Sequence, residues 1–248
     1  TARSASRAVV QPLYLAGTGL DVVGFACMVG ALRWLPLFLV QCAATASVAV
    51  TAAIGRRVLG TSLHRSSRWA LVSMLAGLVL LASGARPGSA PQTPGVVQGA
   101  LLAGAGILAI LGVISLRARR LGSVQAVLAG LAFAGTGVGA RILSAVHSLE
   151  DALRSPATYA LALCGVTGML LFAASLERTS VTLANAIVFA VETSTASAVG
   201  LALLGDQTRA GFLVPTALGF VVTVGSAVAL ALDRTAMPAP ETADQPAR

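Results

Sequence analysis

Pro156 to Leu176 reads PATYALALCGVTGMLLFAASL, a stretch without a single charge. It has about the 20 residues that a helix needs to cross a hydrocarbon core. A hinge at Glu177-Arg178 follows, and then Ser180 to Leu204, SVTLANAIVFAVETSTASAVGLALL, interrupted only by Glu192. A backbone in lipid must satisfy its own hydrogen bonds, so both stretches are predicted to be transmembrane helices.

The same segmentation extends outward in both directions. Towards the amino end lie Leu121 to Ala140, Gly95 to Leu116, Trp69 to Ala85, Leu35 to Gly55 and Ala8 to Leu32, the last containing Asp21. Towards the carboxyl end lies Gly211 to Leu232. The expected fold class is therefore all-α, a polytopic bundle of eight spans. A Pro/Gly/Ser loop, Arg86 to Pro94, separates the third and fourth spans, and a polar tail from Asp233 is expected to be disordered. The first span runs almost directly into the second and is too long for a typical signal-peptide core, so it is read as a permanent span.

Composition agrees. Of 248 residues, 56% are hydrophobic and only 10% charged, with a mean hydropathy of +0.85. Typical soluble domains carry about 25% charge, which rules out a water-soluble globule and, with it, a disordered chain. The net charge of +8 comes from seventeen arginines and no lysine, an imprint that suggests GC-rich bacterial coding. These arginines sit in ones, twos and threes between apolar stretches rather than on one basic face, so nucleic acid is excluded as a partner. Cys27, Cys42 and Cys164 lie within apolar stretches at no metal-ligand spacing and are read as packing residues. No metal and no cofactor is expected.

Twelve of the seventeen arginines fall on one side when the connections are taken alternately, including Arg56, Arg57, Arg65 and Arg68 in one loop and Arg117, Arg119 and Arg120 in another. The positive-inside rule then places both termini in the cytoplasm of a multi-pass inner-membrane protein.

An offset of 144 residues superimposes two regions without a gap. Pro12 falls on Pro156, Gly24 on Gly168, Leu39 on Leu183, the hinge Arg33-Trp34 on Glu177-Arg178, and polar Gln41 on Asn185. Spans one to three thus repeat as spans six to eight. The five-span offset is odd, so the copies are expected to be inverted across the membrane, as in secondary transporters whose substrate site lies at the repeat interface. The expected organisation is a first-repeat remnant at 1–116, whose fourth span opens the second half, a second repeat at 117–232, and the tail at 233–248. Nothing precedes the first copy to match spans four and five, so two further spans are expected upstream.

From Ala184 to Leu230 the chain reads ANAIVFAVETSTASAVGLALLGDQTRAGFLVPTALGFVVTVGSAVAL, with Glu192, a Leu203-Leu204-Gly205-Asp206 turn and then Gly219. With the first-half stretch Gly24 to Val40, this resembles the EamA-like branch of the drug/metabolite transporter superfamily, over nearly the whole chain. The sequence departs from the family pattern at Thr193, where many members have proline, and at Asp206, where glutamate is commoner. The resemblance implies ten helices, cytoplasmic termini and transport of a small organic solute, with no enzymatic activity.

Ionised carboxylates at mid-span cost about 2.5–3.5 kcal/mol and usually face a cavity or a partner, which singles out Asp21 and Glu192. At helical spacing Thr182, Asn185, Glu192 and Thr195 share one face, with Ser194 and Ser197 nearby. The candidate substrate-binding residues are Glu192, Asn185, Gln41, Thr182, Thr195 and Asp21, with protons as the candidate coupling ion through Glu192. The bland alternative for these polar groups is an interhelical hydrogen-bond cluster. Gly135-Thr-Gly137-Val-Gly139 and Gly104-Ala-Gly106 follow no strand and are read as close helix packing rather than nucleotide loops. His64 and His147 fall in loops.

The expected activity is alternating-access transport of a small polar or amphipathic solute. A second copy of the chain is kept as a candidate partner, beside the bilayer itself. The alternatives are a divalent-cation transporter, which two intramembrane carboxylates serve poorly, and a non-transporting subunit that binds another protein.

Overall fold

The computed structural model describes residues 12–45, 65–88, 90, 92–117, 121–146 and 148–232. Among them are nine helices, α1 Pro12–Ala31, α2 Leu37–Thr45, α3 Arg65–Gly84, α4 Gly95–Leu116, α5 Gly122–Leu143, α6 Leu149–Arg154, α7 Pro156–Leu176, α8 Val181–Leu203 and α9 Leu213–Leu232. The described residues contain no strand, only an isolated bridge between Ala85 and Thr208. The remainder of the second expected span, His64, His147 and the tail lie outside the described residues.

Helix limits follow local chemistry. Ser155 caps α7 through its side chain, and Pro156 occupies the first turn, where its missing N–H costs nothing. Ser180 caps α8 by accepting from Leu183 N at 3.3 Å. Pro36 interrupts the chain between α1 and α2, because it cannot donate into a continuing helix. Gly205, at φ 68°, turns the chain out of α8 in the left-handed conformation that favours glycine.

Four helices are long and apolar enough to cross a membrane, over Gly95–Leu116, Gly122–Leu143, Pro156–Leu176 and Leu183–Leu203, and shorter apolar helices cover 68–84 and 213–229. The chain is thus a multi-pass membrane protein built as a helix bundle. Its burial pattern suits lipid. The apolar window of α4 is only 17% buried, whereas that of α5 is 67% buried, so α5 is the central helix and α4 a peripheral one. Ile107, Ile110 and Ile114 of α4 stand exposed, an apolar surface that water would penalise and acyl chains accept.

Small residues let the helices approach. On α5 the fully buried positions include Ala126, Ala129 and Ala132. A Cβ at Gly135 would lie 2.6 Å from Cys164 Sγ, one at Gly137 2.8 Å from Gln41 Nε2, and one at Gly139 3.0 Å from Leu161 Cβ. The glycines of this GTGVG run are therefore close-approach positions, as expected. Gly104 and Gly106 differ: a Cβ there would meet nothing within 4 Å, because α4 is peripheral and Gly104 borders a cleft.

Helices α3 and α9 form the second seam. A Cβ at Gly77 would lie 2.9 Å from Gly219 O, and one at Gly219 would lie 2.8 Å from Gly77 O. Ser73 and Ser226 hydroxyls meet at 2.9 Å one turn further along, and a Cβ at Gly84 would strike Thr216. The ladder runs antiparallel.

Three expectations about helix extent need correction. The third helix begins at Arg65 rather than Trp69, so Arg65 and Arg68 lie in α3 and not in the loop before it. The fifth span continues through Arg141 to Leu143 rather than ending at Ala140, and a short helix, α6, occupies part of the loop before Pro156. Ser148 caps α6 by accepting from Asp151 N at 3.0 Å.

Candidate functional site

Helices α2, α5 and α8 converge where Gln41 Nε2 donates to Glu192 Oε1 at 3.4 Å, longer than an ordinary N–H···O bond and correspondingly weak. Gln41 is 2% exposed and Glu192 half-buried. Gly137 supplies the missing volume, since any side chain at that position would displace the Gln41 amide. Glu192 is the only carboxylate within the four long apolar helices. The structure thus joins two of the sequence-selected residues across 151 positions.

The others distribute around this pair. Asn185 lies about two turns from Glu192 on the same helix and is half-buried. Thr195 lines a cleft of about 230 Å³ with Gly104, Gly135 and Cys164. Ser194 and Ser197 border a different cleft, of about 280 Å³, between α8 and α9. Glu192 lines neither of these two clefts. The side chains of Asp21 and Thr182 lie outside the described residues. Among the described residues no group of three His, Cys, Asp or Glu side chains is placed to hold a metal.

At one end of the bundle a second polar centre draws three parts of the chain together. Arg141 Nη2 donates to Asp206 Oδ1 at 2.8 Å, with the two side chains 4% and 0% exposed. Arg141 Nη1 also donates to Leu32 O, and Ser144 Oγ donates to the same carbonyl at 3.1 Å. The other Asp206 oxygen accepts from Leu37 N at 2.6 Å, capping the start of α2 from 169 residues away. Pro36 and Leu37 leave that N–H without an intrahelical acceptor, so the carboxylate supplies the cap. Gly200 makes room, because a Cβ there would lie 2.8 Å from Asp206 Oδ2. Burial pushes the Asp206 carboxyl above its ordinary value, while the Arg141 guanidinium and the Leu37 N–H pull it back.

Sequence reading missed this centre. It took Arg141 for a loop charge and Asp206 for part of a turn. The available signal was Asp206 itself, an acid placed straight after Leu203-Leu204-Gly205, where the chain has barely left an apolar helix.

Further bonds gather the neighbouring connections at this same end. Gly88 N donates to Trp34 O at 2.9 Å, Arg86 N to Gln207 O at 3.3 Å, and Arg209 N to Gly84 O at 2.9 Å. At the opposite end Arg178 Nη2 donates to Leu116 O at 3.0 Å, and a Cβ at Gly122 would lie 3.0 Å from Arg178 Cβ. Among the described residues, alternate connections therefore collect at opposite ends of the bundle. The chain matches no family model, no curated protein and no solved structure.

Proposed function

We propose that this chain is a secondary transporter of the inner membrane, moving a small polar or amphipathic organic solute by alternating access between two inverted three-helix units, with proton coupling through Glu192. The observation that carries the proposal is the contact between Gln41 and Glu192, one from each unit, which sets a carboxylate midway along a long apolar helix. A carboxylate at that depth is expensive and marks an ion or substrate path by default.

Helix pairing supports the same reading. Under the 144-residue offset α3 is equivalent to α9, and α2 to α8. Each packs against its own equivalent, α3 on α9 and α2 on α8, as elements lying beside a two-fold axis between inverted units would. The end holding the Arg141–Asp206 pair carries the fewer arginines, which favours placing it outside and Arg178 in the cytoplasm. With eight spans this puts both termini in the cytoplasm. The cleft that Thr195 lines, one helical turn beyond Glu192, is otherwise walled by aliphatic residues, glycine and Cys164, which suits an amphipathic solute better than a bare ion.

The test is solute-driven proton flux in proteoliposomes, read with a lumenal pH dye across a panel of small polar and amphipathic solutes. The chain is expected to acidify or alkalinise the lumen with at least one of them, and Glu192→Gln to abolish that flux while leaving exchange of the same solute. An E192Q protein whose transport keeps its pH dependence would refute the coupling role. Silence across the whole panel would count against the transporter reading itself.

A further inference from the structure

The cleft of about 280 Å³ between α8 and α9 differs from the Gln41–Glu192 centre in position and in character. Its floor is buried and includes Phe38, Leu81, Ser197 and Thr216. Its rim is lipid-facing: Leu201 is 45% exposed, Leu213 67% and Val221 66%. The mouth therefore opens sideways, towards acyl chains.

Two hydroxyls on the floor are in different states. Thr216 Oγ1 is satisfied by Phe212 O at 2.7 Å. Ser197 is 3% exposed, and its Oγ is buried with no hydrogen-bond partner. Serines in apolar helices commonly donate to a carbonyl three or four residues back, as Ser115 does to Gly112 O. Ser197 does not, and a hydroxyl left unpaired in an apolar setting is unfavourable. A hydroxyl left without a partner on the floor of an apolar cleft is complementary to one kind of occupant.

We infer that this cleft is a lateral binding site for a small amphipath dissolved in the bilayer, an apolar body seated on Phe38 and Phe220 and carrying one hydrogen-bonding group for Ser197. The volume sits just below the 300–1,000 Å³ range of drug-sized pockets, so the occupant is a small molecule rather than a whole phospholipid. The site stands whether or not the chain transports anything, since it uses neither Glu192 nor Gln41.

The probe is 3-azioctanol, an eight-carbon alcohol with a photoreactive diazirine, applied to the full chain in nanodiscs, with adducts located by mass spectrometry. Adducts are expected on both Ser194–Leu201 and Leu213–Val221, and excess 1-octanol should displace them where octane does so poorly. Ser197→Ala should weaken saturable labelling about fivefold, the worth of one hydrogen bond. Ala217→Phe, on the exposed rim, should abolish it without disturbing the core. Labelling that does not saturate, spreads equally over the lipid-facing α4, or persists unchanged in either variant overturns the inference. An unaltered S197A would mean that the serine hydroxyl has simply turned to a backbone carbonyl. Monodisperse gel filtration of both variants guards against misfolding as the cause of lost labelling.

Discussion

Arg141→Ala is expected to destabilise the folded chain by about 3–5 kcal/mol, read as a lowered unfolding midpoint in detergent. The cost comes less from losing an attraction than from stranding its partner. Without the guanidinium, the Asp206 carboxylate stays 0% exposed with only the Leu37 N–H to accept from, and Leu32 O loses one of its two side-chain donors. Asp206→Ala should be as damaging, because it leaves the buried guanidinium unpaired and also uncaps α2. Asp206→Asn should fall between the wild type and D206A, since its carbonyl can still accept from Leu37. The paired replacement R141M/D206L removes both charges, so it should recover the part of the loss that comes from a stranded charge while α2 stays uncapped. Recovery in the double variant separates a stranded charge from a general packing defect. If R141A and D206A leave the midpoint unchanged, the pair is not buried in the membrane-embedded protein.

Gly219→Leu is expected to prevent α3 and α9 from seating. Its Cβ would fall 2.8 Å from Gly77 O and 2.9 Å from Leu81 N, and both are backbone atoms that cannot swing aside. Overpacking in an adaptable core costs about 1–3 kcal/mol, and a clash against backbone sits at or beyond the upper end of that range. Gly225→Leu on the same helix is the matched control, because a Cβ there meets nothing within 4 Å. The expected outcome is loss of the monodisperse peak in fluorescence-detected gel filtration for G219L and a normal peak for G225L. Equal behaviour of the two would mean that the Gly77–Gly219 approach is not used.

Much of the helical framework was legible because membrane helices announce themselves by the absence of charge. Pro156 to Leu176 and Gly95 to Leu116 match helix limits to the residue, since the boundaries coincide with a capping serine, a proline or an arginine that lipid excludes. The same rule failed at Arg141. A charge was taken to close a span, but a guanidinium matched to Asp206 and Leu32 O is compatible with a helix that runs two residues further. Pairings of that kind depend on where the loops fold, and no local pattern records it.

The candidate site was legible in part for a related reason. Helical periodicity gathers residues on one helix, which brought out Asn185, Glu192 and Thr195, while Gln41 came only from the internal repeat. That Gln41 meets Glu192 itself, and that Thr195 turns instead to a cleft with Cys164, depends on the rotation of α8 against α5. Gly137, which admits the Gln41 amide, was grouped with its neighbours as generic small-residue packing.

The cap on Leu37 has a bearing on biogenesis. The ribosome releases α2 long before Asp206 emerges 169 residues later, so the newly inserted helix must wait with its leading N–H bonded to water, lipid headgroups or the insertion machinery. Only when α8 and the turn behind it arrive can that temporary partner be dismissed, which makes the final seating of α2 contingent on a much later helix.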